Sequence, residues 1–140
     1  KSTTAKAVVS ASRSFPGNLV CASGSRTGEV CNLRVTDTIV SYQASDGVVR
    51  GPVVIAVSES GKAAIGPGDS GGPVYQPLPD SEHFKDVVEA KGIISGAEVT
   101  YDSSHCADPA QVWCGAEIYY VDIIDALWVY DAQLQLWSPY

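Results

Sequence analysis

A chain of 140 residues, 45% of them hydrophobic, is one domain by length and has enough apolar side chains for a moderate core. Its net charge is −7, and its nine basic residues are scattered from Lys1 to Lys91, so no basic stripe offers a nucleic-acid footprint. No apolar run approaches the roughly 18–20 residues a membrane helix needs, so nucleic acid and membrane are excluded as partners.

The elements follow in chain order. Short apolar or alternating stretches, rich in β-branched residues and separated by Gly, Pro, Asp or Ser, predict strands over 5–11, 19–23, 30–35, 38–42, 48–58, 73–76, 87–94 and 117–121. Several short strands at regular spacing point to a sandwich or barrel. The polar, proline-containing segment 76–86 reads as a surface loop between two strands, with His83 a solvated loop residue. After the last strand the period changes. Ile123, Leu127, Tyr130 and Leu134 recur at helical spacing, flanked by Ile124 and Trp128, and Asp122 offers an N-cap. The predicted class is all-β, closed by a C-terminal α-helix.

Four cysteines, Cys21, Cys31, Cys106 and Cys114, admit three disulfide connectivities. Their even number in a small chain suits an oxidising, extracytoplasmic setting. Zinc is the rival reading, but the C-x9-C and C-x7-C spacings match no common zinc pattern. No metal or organic cofactor is implied. The sequence contains no methionine, so Lys1 is expected to follow a cleavage site or other boundary rather than a translation start.

The densest chemical signal is Gly68-Asp69-Ser70-Gly71-Gly72-Pro73. An acyl-transfer nucleophile needs an exposed hydroxyl and convergent backbone N–H groups for the tetrahedral oxyanion. Here Ser70 offers the hydroxyl, and the N–H groups of Gly68 and Ser70 can share one hole. This loop resembles the nucleophile loop of chymotrypsin-fold serine peptidases. Cys21-Ala-Ser-Gly-Ser-Arg-Thr-Gly-Glu-Val-Cys31 resembles the disulfide-closed loop C-x-S-G-x-x-T-G-x-x-C of the bacterial streptogrisin and α-lytic endopeptidase group. Gly92-Ile-Ile-Ser-Gly96 is similar to that family's substrate-pairing strand, and 118–127 to its last strand and terminal helix.

The resemblance implies the C-terminal half of the fold: a six-stranded antiparallel β-barrel with a C-terminal helix, occupying 1–140 as a single domain. It implies a secreted serine endopeptidase with Ser70 as nucleophile, Gly68 in the oxyanion hole and Asp69 as brace. A pocket would be built from 63–67, 94–97 and 115–119, with Ile65, Gly66, Pro67, Ile94, Ser95, Gly96, Ala97 and Ile118 meeting an apolar or aromatic substrate side chain. It implies the Cys21–Cys31 bond, and because no cysteine precedes the nucleophile loop, Cys106 is expected to pair with Cys114.

Two departures matter. The family's base histidine and its orienting aspartate precede the serine, whereas His83 and His105 both follow Ser70. The base and its carboxylate are therefore expected on an N-terminal barrel absent from this chain. The group's arginine after the first loop cysteine is here Ala22, so Asp69 is expected to need another cation, either Arg26 or a terminal amino group. Expected partners are a protein or peptide substrate and either the other barrel or a second copy of the chain. Two alternatives stand beside this reading. One is an inactive single barrel serving as a binding module or effector. The other is a rewired hydrolase using His83 or His105 with Asp86 or Asp108.

Overall fold

The structure is a computed structural model and describes residues 5–82 and 85–138. Its elements are β1 (Ala7–Ala11), β2 (Leu19–Gly24), β3 (Gly28–Gln43), β4 (Val49–Ser58), β5 (Pro73–Pro77), β6 (Val87–Glu98), β7 (Tyr101–Asp102), a 3-10 turn (Ser103–His105), β8 (Trp113–Cys114), β9 (Glu117–Asp122) and α1 (Ile123–Val129). The main sheet runs β1-β6-β5-β2-β3-β4-β9, and β9 also pairs with β6. Strands β6, β5, β2, β3, β4 and β9 therefore form a ring of antiparallel pairings, the six-stranded antiparallel barrel expected from the sequence.

Alternation along the strands makes the core. In β9, Ile118 and Tyr120 point inward, and they meet Val20, Leu33, Val35, Val54, Ala56, Val74 and Ile94 from the other strands. Burying a side chain such as Leu33 or Ile118 completely contributes roughly 1.5–3 kcal/mol before conformational entropy is counted.

The structure corrects four expectations. The strand expected over 5–11 is present as β1, but it stands outside the antiparallel ring and is parallel, pairing with Val87–Ala90 at the start of β6. The segments 30–35 and 38–42 are one strand, β3, whose pairing with β4 slips near Asp37 and Val40. Ile39 has a positive φ of 61° there and is exposed, and the polar pair Thr36-Asp37 at the first slip gave the sequence its two-strand look. The short β7–β8 ribbon carried no strand signal in the sequence. Finally, the helix ends at Val129, before Leu134. The Ala132 N–H bonds to the Leu127 carbonyl and the Asp131 N–H to that of Trp128, with Asp131 at φ 47°. This is a Schellman ending with aspartate in the left-handed position that glycine usually takes.

Both expected disulfides are present, Cys21–Cys31 and Cys106–Cys114. Among the described residues no helix is long and apolar enough to cross a membrane, and no cluster of metal-ligating side chains occurs.

Candidate active site

Residues 66–72 form the turn between the bridge at Ile65 and strand β5. Gly68 and Gly71 have φ of 95° and 85°, backbone that a Cβ would strain. A Cβ on Gly68 would also stand 2.7 Å from Cγ of Arg26. The loop turns its aspartate in and its serine out: Asp69 is 1% exposed and Ser70 lies at the surface.

Asp69 is held by neutral donors. Its Oδ1 accepts from the backbone N–H groups of Arg26 (2.8 Å) and Thr27 (3.0 Å). Its Oδ2 accepts from the Gly66 N–H (2.9 Å), from the Thr27 hydroxyl in a short bond, and from Nε2 of Gln111 at 3.4 Å. Burial pushes this carboxyl upward, and the hydrogen bonds from Thr27, Arg26 and Gly66 outweigh it, so Asp69 lies below the usual carboxylate range. The expected cation is absent among the described residues. The Arg26 guanidinium instead pairs with Asp108 at 3.1 Å, and Lys1 lies outside the described residues. Backbone dipoles and a hydroxyl do the work assigned to a charge, because a carboxylate with its lone pairs filled needs no counterion. Gly24 makes room for this arrangement, since a Cβ there would overlap the Asp69 side chain.

The loop's other amides divide cleanly. Those of Asp69, Gly71 and Gly72 bond to the carbonyls of Gly66, Ile94 and Asp69. Among the described residues, the N–H groups of Gly68 and Ser70 meet no backbone acceptor. Ser70 borders two cavities. One, about 500 Å³, is lined by Ser23, Gly24 and Ser25 together with Gly68–Pro73 of the loop. The other, about 750 Å³, runs along β6 to the tip of the β3–β4 hairpin.

The larger cavity gathers most of the sequence-derived pocket residues: Ile65, Gly66, Pro67, Ser95, Gly96 and Ala97 line it with Ser70. Ile94 and Ile118 do not. They are 3% and 0% exposed and belong to the barrel core beneath it. Tyr42, Arg50 and Trp113 also line the cavity and were missed, Tyr42 and Arg50 because a hairpin remote in sequence folds over the site. The Tyr42 hydroxyl meets Ser95 Oγ at 3.0 Å, and its ring lies 4.7 Å from that of Tyr119. Gly96 permits this, because a Cβ would stand 2.8 Å from the Tyr42 hydroxyl. Burial and the carboxylates of Glu117 and Glu98 push the Tyr119 phenol up to about 12, so Tyr119 itself stays protonated at ordinary pH. On the β5 side of β6 the ladder ends with Ile94, whose N–H and carbonyl are taken by Gly72 and Gly71. From Ser95 onward that edge faces the cavity.

No histidine joins Ser70 among the described residues. His105 lies on the surface, its Nδ1 3.0 Å from Ser104 Oγ and 3.3 Å from Asp102 Oδ1, with its ring stacked on Tyr101. It lines neither cavity of the serine. Asp108 is engaged with Arg26, and His83 lies outside the described residues.

No protein-family model matches the chain, and no curated protein sequence does. Solved structures do. Protease A of Thermobifida fusca matches with a TM-score of 0.66 at 20% identity, over 96% of this chain and 57% of its own. The Cellulomonas bogoriensis chymotrypsin matches with a TM-score of 0.68 at 20% identity, over 97% and 59%. A glutamic-acid-specific serine protease, described as using a histidine triad in substrate binding, matches with a TM-score of 0.62 at 23% identity, over 92% and 54%. The chain thus spans little more than half the length of the proteins it matches, and it has the fold of the single-barrel half of bacterial chymotrypsin-fold serine proteases.

Proposed function

We propose that this chain is the nucleophile-bearing half of a secreted serine endopeptidase, whose base and orienting carboxylate come from a second barrel. The observation that carries this reading is the loop 66–72: Ser70 stands exposed beside two N–H groups, its own and that of Gly68, that no acceptor among the described residues takes, and the buried Asp69 is braced behind it. Catalysis of acyl transfer asks for this combination of nucleophile and preorganised oxyanion donors. Ser70 Oγ attacks the peptide carbonyl carbon, its proton passes to the supplied base, and the carbonyl π pair moves to the oxygen, where Gly68 and Ser70 N–H groups receive it. Collapse expels the amine, which takes that proton, and water then hydrolyses the acyl-serine.

The substrate would add antiparallel to the free edge at Ser95–Ala97, since strand addition gives affinity without side-chain selectivity. Tyr42, Tyr119 and Trp113 make the cavity beside it suited to an apolar or aromatic side chain.

The test compares the isolated chain with the complete product of its gene, both treated with a fluorophosphonate serine probe. The isolated chain should remain unlabelled. The complete product should be labelled at Ser70, read by mass spectrometry, and Ser70→Ala should abolish the label. Rapid labelling of the isolated chain would favour a rewired hydrolase. Failure to label in both would leave an inactive binding module.

A further inference from the structure

Two disulfide-closed loops converge on Asp69. The Cys21–Cys31 loop supplies the donors of Arg26 and Thr27, and the Cys106–Cys114 loop supplies Gln111. Gln111 is 3% exposed although its loop is otherwise mostly at the surface. Its Nε2 lies 3.2 Å from Thr27 Oγ1, 3.3 Å from the Pro67 carbonyl and 3.4 Å from Asp69 Oδ2. One amide thus touches the brace, the hydroxyl that bonds the brace, and the backbone immediately before Gly68. Gly66 is shaped to admit it, since a Cβ there would stand 2.5 Å from Nε2. Its Oε1 is the one buried side-chain polar atom without a partner among the described residues. A buried amide that leaves its oxygen unpaired bears a cost, and here its nitrogen is the part the site uses.

We infer that Gln111 is a positioning residue for the nucleophile loop, and that through it the Cys106–Cys114 loop governs the direction of the Gly68 and Ser70 N–H groups. The role given to those groups rests on the function proposed above; the coupling itself does not. The grip has an outer counterpart: the Arg26–Asp108 ion pair joins the same two loops at the surface. Among the described residues, neutral donors alone reach the two oxygens of Asp69.

The experiment is NMR on the isolated chain, which reads loop geometry without any catalysis. Asp69 is followed by its side-chain carboxyl carbon through an acid titration, and Gly68 and Ser70 by their amide resonances. In Gln111→Met, which keeps the length and removes the donor, the Asp69 midpoint should rise by about one pH unit, the scale of one hydrogen bond to a charged group. The two amide resonances should move with it. Gln111→Glu should behave like the native chain in acid, where the protonated carboxyl is a donor. Above the carboxylate range its loop amides should shift or broaden, as two carboxylates face each other. Unchanged midpoint and amide positions in Gln111→Met would overturn the inference. Should Gln111→Met fail to fold, Gln111→Glu decides: a pH-dependent return of the native loop signals supports the role, and a pH-independent spectrum refutes it. A positive result here with no probe labelling of the complete product would sink the peptidase reading and leave the coupling standing.

Discussion

Asp69 shows how a buried charge can be kept without a counter-charge. Its carboxyl sits below the usual carboxylate value of 3.8, so the folded chain binds that proton less readily than the unfolded chain. The sign follows from linkage. The stability it contributes is complete above the unfolded value and is lost as pH falls through the lower folded value. Acid denaturation followed by circular dichroism should therefore be less steep below pH ~4 in Asp69→Asn than in the native chain. At neutral pH, Asp69→Ala should cost on the order of 3 kcal/mol, since it strands the buried N–H groups of Thr27 and Gly66. The motif around Ser70 was legible in the sequence because its chemistry is local: six consecutive residues build the turn. The caging of Asp69 was not legible. Thr27 and Gln111 lie 42 residues to either side of it, and neither residue type announces a contact with a carboxylate.

Asp122 does for the elements what Asp69 does for the loop. It ends β9 and caps α1: one oxygen accepts from the Ile124 N–H and the other from the Ser14 N–H, both at 2.9 Å. Ser14 in turn meets the buried Tyr120 hydroxyl at 2.7 Å. One side chain therefore fixes the helix start and the segment after β1 onto the barrel. Asp122→Ala should lower the urea unfolding free energy by about 2 kcal/mol, combining a lost cap with an orphaned buried N–H; a change under ~0.5 kcal/mol would contradict this role. The cap was readable from sequence, as was the helix face from Ile123. The helix's end was not, because the stop is set by Asp131 adopting a conformation usual for glycine. The strands were read nearly to the residue where alternation is clean, as in β9, and where an apolar run stands out, as Val53–Val57 in β4. One was split in two near Asp37, where pairing slips, and the parallel pairing of β1 with β6 was not legible, because it depends on a partner about 80 residues away.

At the scale of the molecule, the outer side of the helix is unusually apolar for a surface. Trp128, Val129 and Tyr130 are 83%, 66% and 80% exposed, and Leu136 and Trp137 are half exposed. Exposed apolar groupings of this kind favour association. Light scattering of the isolated chain should show a mass that rises with concentration, and Trp128→Ser with Tyr130→Ser should hold it near that of one chain. A single mass at all concentrations in the native chain would count against the prediction. The ring itself has a different consequence. It is sealed by β9, the last strand in the chain, which reaches back to β4 and β6 at once. The pairing with β4 is distant in sequence, Val57 with Glu117 at its nearest, and such pairings form slowly. Until β9 arrives, β4 and β6 each keep an unpaired edge, and the interval between their synthesis and its docking is when the nascent chain is most exposed to pairing with its neighbours.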